Sequence, residues 1–316
     1  MPWVEGAGDA ATPRPLKSVG AARYERAMIA RLALALTLLL AALPARAAED
    51  VAFDAPDGTR LVARLLRPAG AGPHPAIVAL HGCSGLRTSH GFIRPIYRAW
   101  AAALVREGFV VLLVDSGKPR GIGPACVESP ERRTLHMERP KDAYAALGFL
   151  QAQAYVKADR VGVIGWSQGG GAVLNAIPEK SLGRPAPPPA HDFRAAVALY
   201  PALCGARAQA RLWPDMPPRS WTTRIPLLVL FGEADNWTPL PPCRDFMAEA
   251  AVRGAPVEFY AYPDAYHAFD APDVPRRELP AYRTQQGVVP IIETNEAARA
   301  DAFARVPAFF ARHLKE

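Results

Sequence analysis

The stretch that decides the fold is Val-Gly-Val-Ile-Gly-Trp-Ser-Gln-Gly, residues 161–169. Its apolar start, Val161–Ile164, is typical of a strand buried on both faces, and residues 168–177 suit a helix. Between them, Gly165–Gly169 matches the pattern Gly-x-Ser-x-Gly, in which a sharp strand-to-helix turn exposes a serine hydroxyl. The sequence contains no Gly-Lys-Ser/Thr, which argues against a phosphate-binding loop. We therefore predict that Ser167 is a nucleophile.

Strand-like and helix-like segments alternate on both sides of this turn. Val51–Phe53 and Leu61–Leu66 flank Asp57-Gly58-Thr59 and predict an opening hairpin. The repeated strand and helix units that follow predict a mostly parallel sheet with helices on both faces. Further strands are predicted at Ala76–Leu80, Phe109–Val114, Phe193–Tyr200, Leu227–Phe231 and Val257–Tyr262. Helices are predicted around Ile96–Leu104, 138–152, 240–253 and 296–314 (capped by Thr294 or Asn295), and long loops at 201–224 and 268–292.

Residues 1–47 contain the three parts of a secretory signal. Arg31 precedes the apolar run Leu32–Leu43, and the small-x-small triplet Ala45-Arg46-Ala47 follows it. The run is shorter than the roughly 20 residues that cross a bilayer. We predict a leader and a cleaved signal peptide, with Met28 as an alternative start and an uncleaved anchor as the alternative interpretation. The protein would then be periplasmic or secreted, without a stable membrane anchor.

Length and charge limit the organisation and the partners of the remaining chain. The 316 residues suit one large α/β domain or two small ones. No repeat, low-complexity tract or linker divides residues 48–316, so we predict a single domain there. The net charge of +7 includes six Lys/Arg and three Asp/Glu in residues 1–47, which leaves about +4 for the rest. This mild excess, without a basic patch interleaved with aromatic residues, argues against a nucleic-acid partner.

A serine hydroxyl is a weak nucleophile at neutral pH and needs a histidine base that a carboxylate orients. After a serine in this type of turn, the acid and then the histidine follow along the chain. Asp235 comes just after the predicted strand Leu227–Phe231, at the strand end where catalytic groups of parallel sheets collect, and Glu233 is its nearby rival. His267 lies five residues past the last predicted strand and is the predicted base, whereas His313 ends the final helix.

Two backbone N–H groups are expected to bind the oxyanion that such a serine creates. One belongs to Gln168, the residue after the nucleophile, and the other to Cys83 in the loop His81–Gly85. We interpret His81 as a histidine that hydrogen-bonds this turn, with a second base as the alternative. No His-x-x-x-His or comparable spacing occurs, so we predict no metal site and no cofactor. Two further candidates, for substrate binding, are Trp166 and Trp237.

Four motifs, His81–Leu86, Gly165–Gly170, Gly232–Pro239 and Tyr266–Asp270, follow one another in this order along the chain. Together they resemble the dienelactone hydrolase family, which has the α/β-hydrolase fold. The resemblance covers about residues 51–314 and implies a hydrolase of ester or lactone bonds. It assigns the nucleophile to Ser167, the acid to Asp235 and the base to His267.

Two positions depart from the founding enzymes of that family. Those enzymes use a cysteine nucleophile where this chain has Ser167, and a glutamate in the turn where Gly82 stands. The resemblance therefore implies hydrolase chemistry more strongly than it implies a dienelactone as substrate. Arginines hold the carboxylate of the lactone in the family, and Arg120 is the candidate here, with a solvated loop arginine as the alternative.

Four cysteines remain after residue 47, an even number that permits two disulfides in an exported protein. In an α/β-hydrolase sheet the third and fourth strands are neighbours, as are the sixth and seventh, so the loops that follow them can meet. We therefore predict the bridges Cys83–Cys126 and Cys204–Cys243. The absence of a Cys-x-x-Cys pair argues against a redox motif or a zinc ribbon.

These observations together predict a serine hydrolase that cleaves a small-molecule ester or lactone through an acyl-enzyme intermediate. Two alternatives stay open. One is a serine peptidase of the prolyl-oligopeptidase type, and the other is a non-catalytic binding protein that reuses the fold. The intact order of serine, aspartate and histidine argues against the second alternative.

Overall fold

The computed structural model describes residues 48–212, 217 and 219–316. The leader and signal peptide predicted at residues 1–47 lie outside these described residues. Among the residues that are described, no helix combines the length and the apolar character needed to cross a membrane.

Eight strands form one sheet. They are β1 (Glu49–Asp54), β2 (Arg60–Leu66), β3 (His74–Leu80), β4 (Val110–Asp115), β5 (Val156–Trp166), β6 (Ala195–Leu199), β7 (Leu227–Gly232) and β8 (Val257–Tyr262). Their order across the sheet is β1-β2-β4-β3-β5-β6-β7-β8. β2 is antiparallel to both β1 and β4, and all the other neighbouring pairs are parallel, as the repeated strand and helix units predict.

Helices cover both faces of this sheet. In the described part of the chain they are α1 (Pro95–Arg106), α2 (Pro130–Gln151), α3 (Gln168–Ala176), α4 (Ala206–Leu212), α5 (Leu240–Val252) and α6 (Glu296–Leu314). A Cβ atom on Gly162 of β5 would lie 2.7 Å from Phe310 of α6, and one on Gly165 would lie 2.2 Å from the carbonyl oxygen of Gly169 in α3. Because side chains alternate across a strand, α6 and α3 pack on opposite faces.

The inner strands are buried on both faces. Every residue of β4, β6 and β7 is buried, as their continuous apolar runs predict. α1 contributes Trp100 and Leu104 to the core, and α2 contributes Leu147 and Leu150. Each fully buried aliphatic side chain stabilises the fold by about 1.5–3 kcal/mol relative to an exposed one. The core therefore holds the carboxyl ends of the parallel strands in fixed positions.

One helix starts earlier than its sequence pattern indicates. α2 begins at Pro130, not near residue 138, and the Ser129 hydroxyl caps it by accepting from the Arg132 N–H at 3.2 Å. Pro140 lies inside the helix, where a proline removes one backbone hydrogen bond and ordinarily signals a boundary. Because of that proline and the polar first turns, the sequence pattern does not indicate that the helix begins at Pro130.

The two predicted long loops contain regular structure. Segment 201–224 includes α4, and segment 268–292 includes two short antiparallel strands, β9 (Arg277–Glu278) and β10 (Ile291–Ile292). Ile292 also forms a parallel bridge with His267. Elements this short carry too little periodicity to be predicted from sequence. The β9–β10 ribbon nevertheless lies beside the predicted base.

Candidate active site

Ser167 lies in the tight turn between β5 and α3. Its φ of 53° is in the left-handed region, which residues other than glycine rarely occupy. Its N–H donates to the Leu199 carbonyl at 2.9 Å, and its carbonyl accepts from the Gly171 and Ala202 N–H groups, both at 2.9 Å. These bonds maintain a strained backbone, and they leave the hydroxyl free to face a cavity.

Glycine is required on both sides of this serine. A Cβ atom on Gly169 would lie 1.9 Å from the carbonyl oxygen of Leu80, the last residue of β3. A Cβ atom on Gly165 would lie 2.2 Å from the carbonyl oxygen of Gly169. Both distances are far below van der Waals contact, so no larger residue fits either position. The close approach brings the loop after β3 against the turn that carries Ser167.

The residues predicted as nucleophile, base and acid meet at the carboxyl ends of the parallel strands. Ser167 Oγ lies 3.0 Å from His267 Nε2, and His267 Nδ1 lies 2.7 Å from Asp235 Oδ2. His267 and Asp235 are buried, whereas Ser167 is half-buried. A carboxylate can only accept, so His267 carries its proton on Nδ1 and its Nε2 can accept the serine proton. Such an arrangement can activate a serine hydroxyl.

Asp235 is fixed by three hydrogen bonds besides the one to His267. Its Oδ1 accepts from the N–H groups of Trp237 and Thr238 at 2.8 and 2.9 Å, and its Oδ2 accepts from the Thr238 hydroxyl at 2.8 Å. Glu233 is exposed, and its carboxylate faces an arginine on α5. The structure thus brings Asp235, and not Glu233, to His267.

The loop after β3 leaves one amide without a partner. The Gly82 N–H donates to the Tyr97 hydroxyl at 2.7 Å, and the Gly82 carbonyl accepts from His81 Nδ1 at 2.6 Å. The Cys83 carbonyl accepts from the Ala125 N–H at 2.9 Å. Within the part of the chain that the structure describes, no protein group accepts from the Cys83 N–H. That amide is therefore available to a bound oxygen atom.

The second predicted oxyanion donor, Gln168, is the first residue of α3. The N–H groups in the first turn of a helix have no acceptor within the helix, and the helix dipole favours negative charge there. A Cβ atom on Gly82 would lie 3.6 Å from the Ser167 Cβ, so the loop of Cys83 touches the turn of Gln168. The two predicted donors belong to segments that meet at the serine.

His81 has the contacts of a structural histidine. Burial and the nearby charge of Arg139 lower its pKa to about 3, so the imidazole is neutral. Its Nδ1 is bonded to the Gly82 carbonyl, and its Nε2 lies 3.9 Å from Asp115 Oδ1. It does not line the cavity that contains Ser167. These contacts favour the turn-bonding interpretation over that of a second base.

The cavity beside Ser167 has a volume of about 320 Å³. Trp166 and Trp237, the predicted substrate-binding tryptophans, both line it. Two cations, Arg94 and Arg277, also line it, whereas none of its described lining residues is an aspartate or glutamate. The size suits a small molecule, and the charged groups in the wall are basic.

Arg120 does not line this cavity, which corrects its prediction as a substrate-binding residue. Its Nη1 and Nη2 donate to the two carboxylate oxygens of Asp142, each at 2.8 Å, and its Nε donates to Asp57 Oδ2 at 3.0 Å. Burial opposes its charge, but these bonds outweigh burial and raise the pKa of Arg120. The guanidinium is thus occupied by the protein's own carboxylates.

A buried carboxylate ties the His267 loop to the serine turn. Asp270 is fully buried and accepts from the Trp166 and Trp100 indoles at 3.0 and 2.7 Å and from the Tyr200 hydroxyl at 2.7 Å. Burial raises the pKa of this carboxyl, although its three donors oppose the shift. Because its indole N–H is already bonded, Trp166 can offer a substrate only its ring.

Two disulfides join the cysteines in the pairs that the sequence predicts. The Cα atoms are 4.9 Å apart in Cys83–Cys126 and 4.7 Å apart in Cys204–Cys243. The first bridge anchors the loop after β3 to the segment between β4 and α2. The second bridge anchors the segment after β6 to α5.

A mostly parallel sheet, helices on both faces and a serine in the turn after β5 define the α/β-hydrolase fold. The sequence pattern described as the dienelactone hydrolase family matches residues 61–314, and the chain belongs to that family. It is a hydrolase that acts on ester or lactone bonds.

Proteins similar to this chain include a lactonase, an acylamino-acid-releasing enzyme and an esterase. A Bradyrhizobium sp. protein described as a probable 2-oxo-3-(5-oxofuran-2-ylidene)propanoate lactonase is 29% identical over 237 residues, which cover 71% of this chain and 86% of the relative. Acylamino-acid-releasing enzyme 2 of Oryza sativa subsp. japonica is 23% identical, over 63% of this chain and 28% of that enzyme. The structure of Thermogutta terrifontis esterase 2 phosphoramylated by tabun shares the fold, with a TM-score of 0.57, 17% identity and coverage of 85% of this chain and 95% of that one.

Proposed function

We propose that the protein is an exported hydrolase that cleaves a small-molecule ester or lactone through an acyl-enzyme intermediate on Ser167. The observation that carries this proposal is the continuous hydrogen-bonded chain from Ser167 Oγ through His267 to Asp235, at 3.0 and 2.7 Å. This series of hydrogen bonds ends at a cavity large enough for a small molecule.

Acylation begins when His267 Nε2 accepts the Ser167 hydroxyl proton and Oγ attacks the carbonyl carbon of the substrate. The tetrahedral oxyanion accepts hydrogen bonds from the Cys83 and Gln168 amides, each worth about 10²–10³ in rate. The carbon–oxygen bond to the leaving alkoxide then breaks, and His267 returns its proton to that oxygen. Asp235 stays ionised and stabilises the imidazolium.

Deacylation repeats these steps with water as the nucleophile. Water gives a proton to His267 Nε2 as its oxygen attacks the acyl carbon, and the same two amides bind the second oxyanion. The bond to Ser167 Oγ then breaks, and His267 returns the proton to the serine. A lactone would follow the same course, with the alcohol still attached to the acyl chain until the ring-opened acid leaves.

We further propose that the substrate carries a negative charge. Two arginines and no described aspartate or glutamate line the cavity. Arg277 is exposed at the cavity wall. Arg94 is half-buried, and its Nε has no hydrogen-bond partner among the residues that the structure describes. The Bradyrhizobium relative is described as acting on a propanoate, which supports the same charge. Because Ser167 and Gly82 depart from the founding enzymes, the family supports hydrolase chemistry more strongly than it supports a dienelactone as the substrate.

Arg277→Gln tests this charge preference. We expect kcat/KM on mono-p-nitrophenyl succinate to fall about fivefold, because an exposed ion pair contributes up to about 1 kcal/mol. Hydrolysis of the neutral p-nitrophenyl butyrate should change little. Arg276→Gln is the matched control, since Arg276 stacks on Tyr266 and does not line the cavity. Equal losses on both esters, or an equal effect of the control, would contradict the proposed charge.

The same assay separates the ester and lactone proposal from its alternatives. A peptidase keeps some support, because the rice relative is described as an acylamino-acid-releasing enzyme. A panel of aryl esters, lactones and acyl-peptide p-nitroanilides would favour a peptidase if the anilides gave the highest kcat/KM. No turnover of any member would favour a binding protein.

We also infer that residues 48–316 form one exported domain. All eight strands from β1 to β8 share one sheet, and two disulfides are compatible with an oxidising compartment. Protein recovered from its native host should begin at Ala48 or a residue beside it, and its intact mass should show no free thiol. A mature product that retains Leu32–Leu43 would contradict export.

Reduction should lower both the melting temperature and the activity, because each bridge closes about 40 residues and contributes about 3–4 kcal/mol. Free thiols at all four cysteines in protein from an oxidising compartment would contradict the two bridges.

A further inference from the structure

A fully buried arginine lies directly behind the serine turn. Arg139, in α2, has none of its surface exposed. Its Nη1 donates to the Gln168 side-chain oxygen at 3.0 Å, and its Nη2 donates to the His81 carbonyl through a short hydrogen bond. Both acceptors are neutral. Among the described residues, no carboxylate forms an ion pair with Arg139.

The neighbouring carboxylates are occupied by other groups. Both oxygens of Asp142 accept from Arg120, and Asp115 Oδ1 accepts from the N–H groups of Gly117 and Lys118. Burial lowers the pKa of Arg139 to about 10, which still leaves the guanidinium protonated at neutral pH. A charge without a partner in contact is costly to bury, and the fold nevertheless retains this one.

The position of the two acceptors indicates what the charge can do. The His81 carbonyl stands two residues before Cys83, and the other acceptor is the side chain of Gln168 itself. Cys83 and Gln168 are the two residues whose amides are the proposed oxyanion donors. One planar guanidinium therefore bridges the two segments that must keep a fixed spacing. Arg139 does not line the cavity, so it acts without touching substrate.

We propose that Arg139 is a positioning residue of the oxyanion hole. Its rigid fork fixes the Cys83 loop relative to the Gln168 amide, and its buried positive charge stabilises negative charge that develops on the substrate oxygen. Preorganised charge in a site that excludes water stabilises a transition state more than it stabilises a neutral ground state. The inference rests on the proposed acyl-enzyme function. It adds Arg139 to the serine, histidine and aspartate that this function already requires.

Arg139→Met and Arg139→Lys test the proposal, with p-nitrophenyl acetate as the substrate. The concentration of active sites is determined by titration with a phosphonate, and kcat is calculated per active site. For Arg139→Met we expect kcat to fall about 30- to 100-fold with KM within twofold, since one oxyanion donor contributes about 10²–10³. The Ki of phenylboronic acid, whose serine adduct is a tetrahedral anion, should rise by the same factor. Arg139→Lys keeps the charge and should lose no more than about tenfold.

Two further variants separate positioning from mere stability. Arg133→Met removes an exposed arginine from the same helix and should leave kcat and the boronate Ki unchanged. Gln168→Met keeps the backbone amide but removes one acceptor of Arg139, and it should lower kcat in a folded protein even where Arg139→Met fails to fold. The proposal would be overturned if Arg139→Met had fewer titratable sites but a normal kcat per site. It would also be overturned if kcat and the boronate Ki were unchanged in Arg139→Met, or kcat were unchanged in Gln168→Met. A wild-type protein that neither turns over esters nor binds the boronate would instead overturn the proposed function, and this inference with it.

Discussion

Replacing Ser167 by alanine should lower kcat on p-nitrophenyl acetate by about 10⁴- to 10⁶-fold, because the loss of a member of such a catalytic unit removes nearly all of its contribution. The fold should survive this change. The bonds that hold the turn come from the Ser167 backbone, and its hydroxyl is bonded to His267. The measurements are steady-state kinetics and the melting temperature of the purified variant.

Ser89→Ala provides the matched control for that variant. Ser89 is exposed on the surface, and the same substitution there should leave kcat and the melting temperature at their wild-type values. If the Ser167→Ala protein hydrolysed the ester at the wild-type rate, Ser167 would not be the nucleophile.

Replacing Asp235 by asparagine should lower kcat by about 10⁴-fold. Asparagine keeps the shape of the side chain, but it removes the negative charge that holds the proton on His267 Nδ1 and stabilises the imidazolium. Glu233→Gln is the control at the same strand end, because Glu233 is exposed and does not contact His267. We expect that variant to stay within about twofold of the wild-type rate. The reverse order of effects would move the acid to Glu233.

Local patterns predict most of this sheet and the serine turn. The continuous apolar runs of β4, β6 and β7, and the apolar part of β5 from Val161 onward, mark strands buried on both faces. Gly165–Gly169 places the nucleophile at the end of β5. The order of strands is predictable because parallel crossovers follow few topologies. Even the cap of α6 follows from residue chemistry, since the Asn295 side chain accepts from the Ala298 N–H at 3.0 Å.

Long-range side-chain contacts are what the sequence does not predict. Arg120 follows β4, a position from which an arginine could bind a substrate. In the structure its guanidinium instead donates to the carboxylate of Asp142 on α2. Arg277 lies on a strand of two residues, and Arg139 is a charged residue on a helix with no distinct apolar face in sequence. The roles of these arginines depend on contacts with segments that are distant in the sequence. Neither hydrophobic periodicity nor residue spacing predicts such contacts.

The most direct measurement is mass spectrometry after labelling with a fluorophosphonate probe. The account predicts one phosphonyl group per chain, carried on Ser167, with loss of labelling in Ser167→Ala and slow labelling in Asp235→Asn. An active enzyme that resists the probe, or an adduct on any other residue, would contradict the central claim that Ser167 forms the acyl-enzyme.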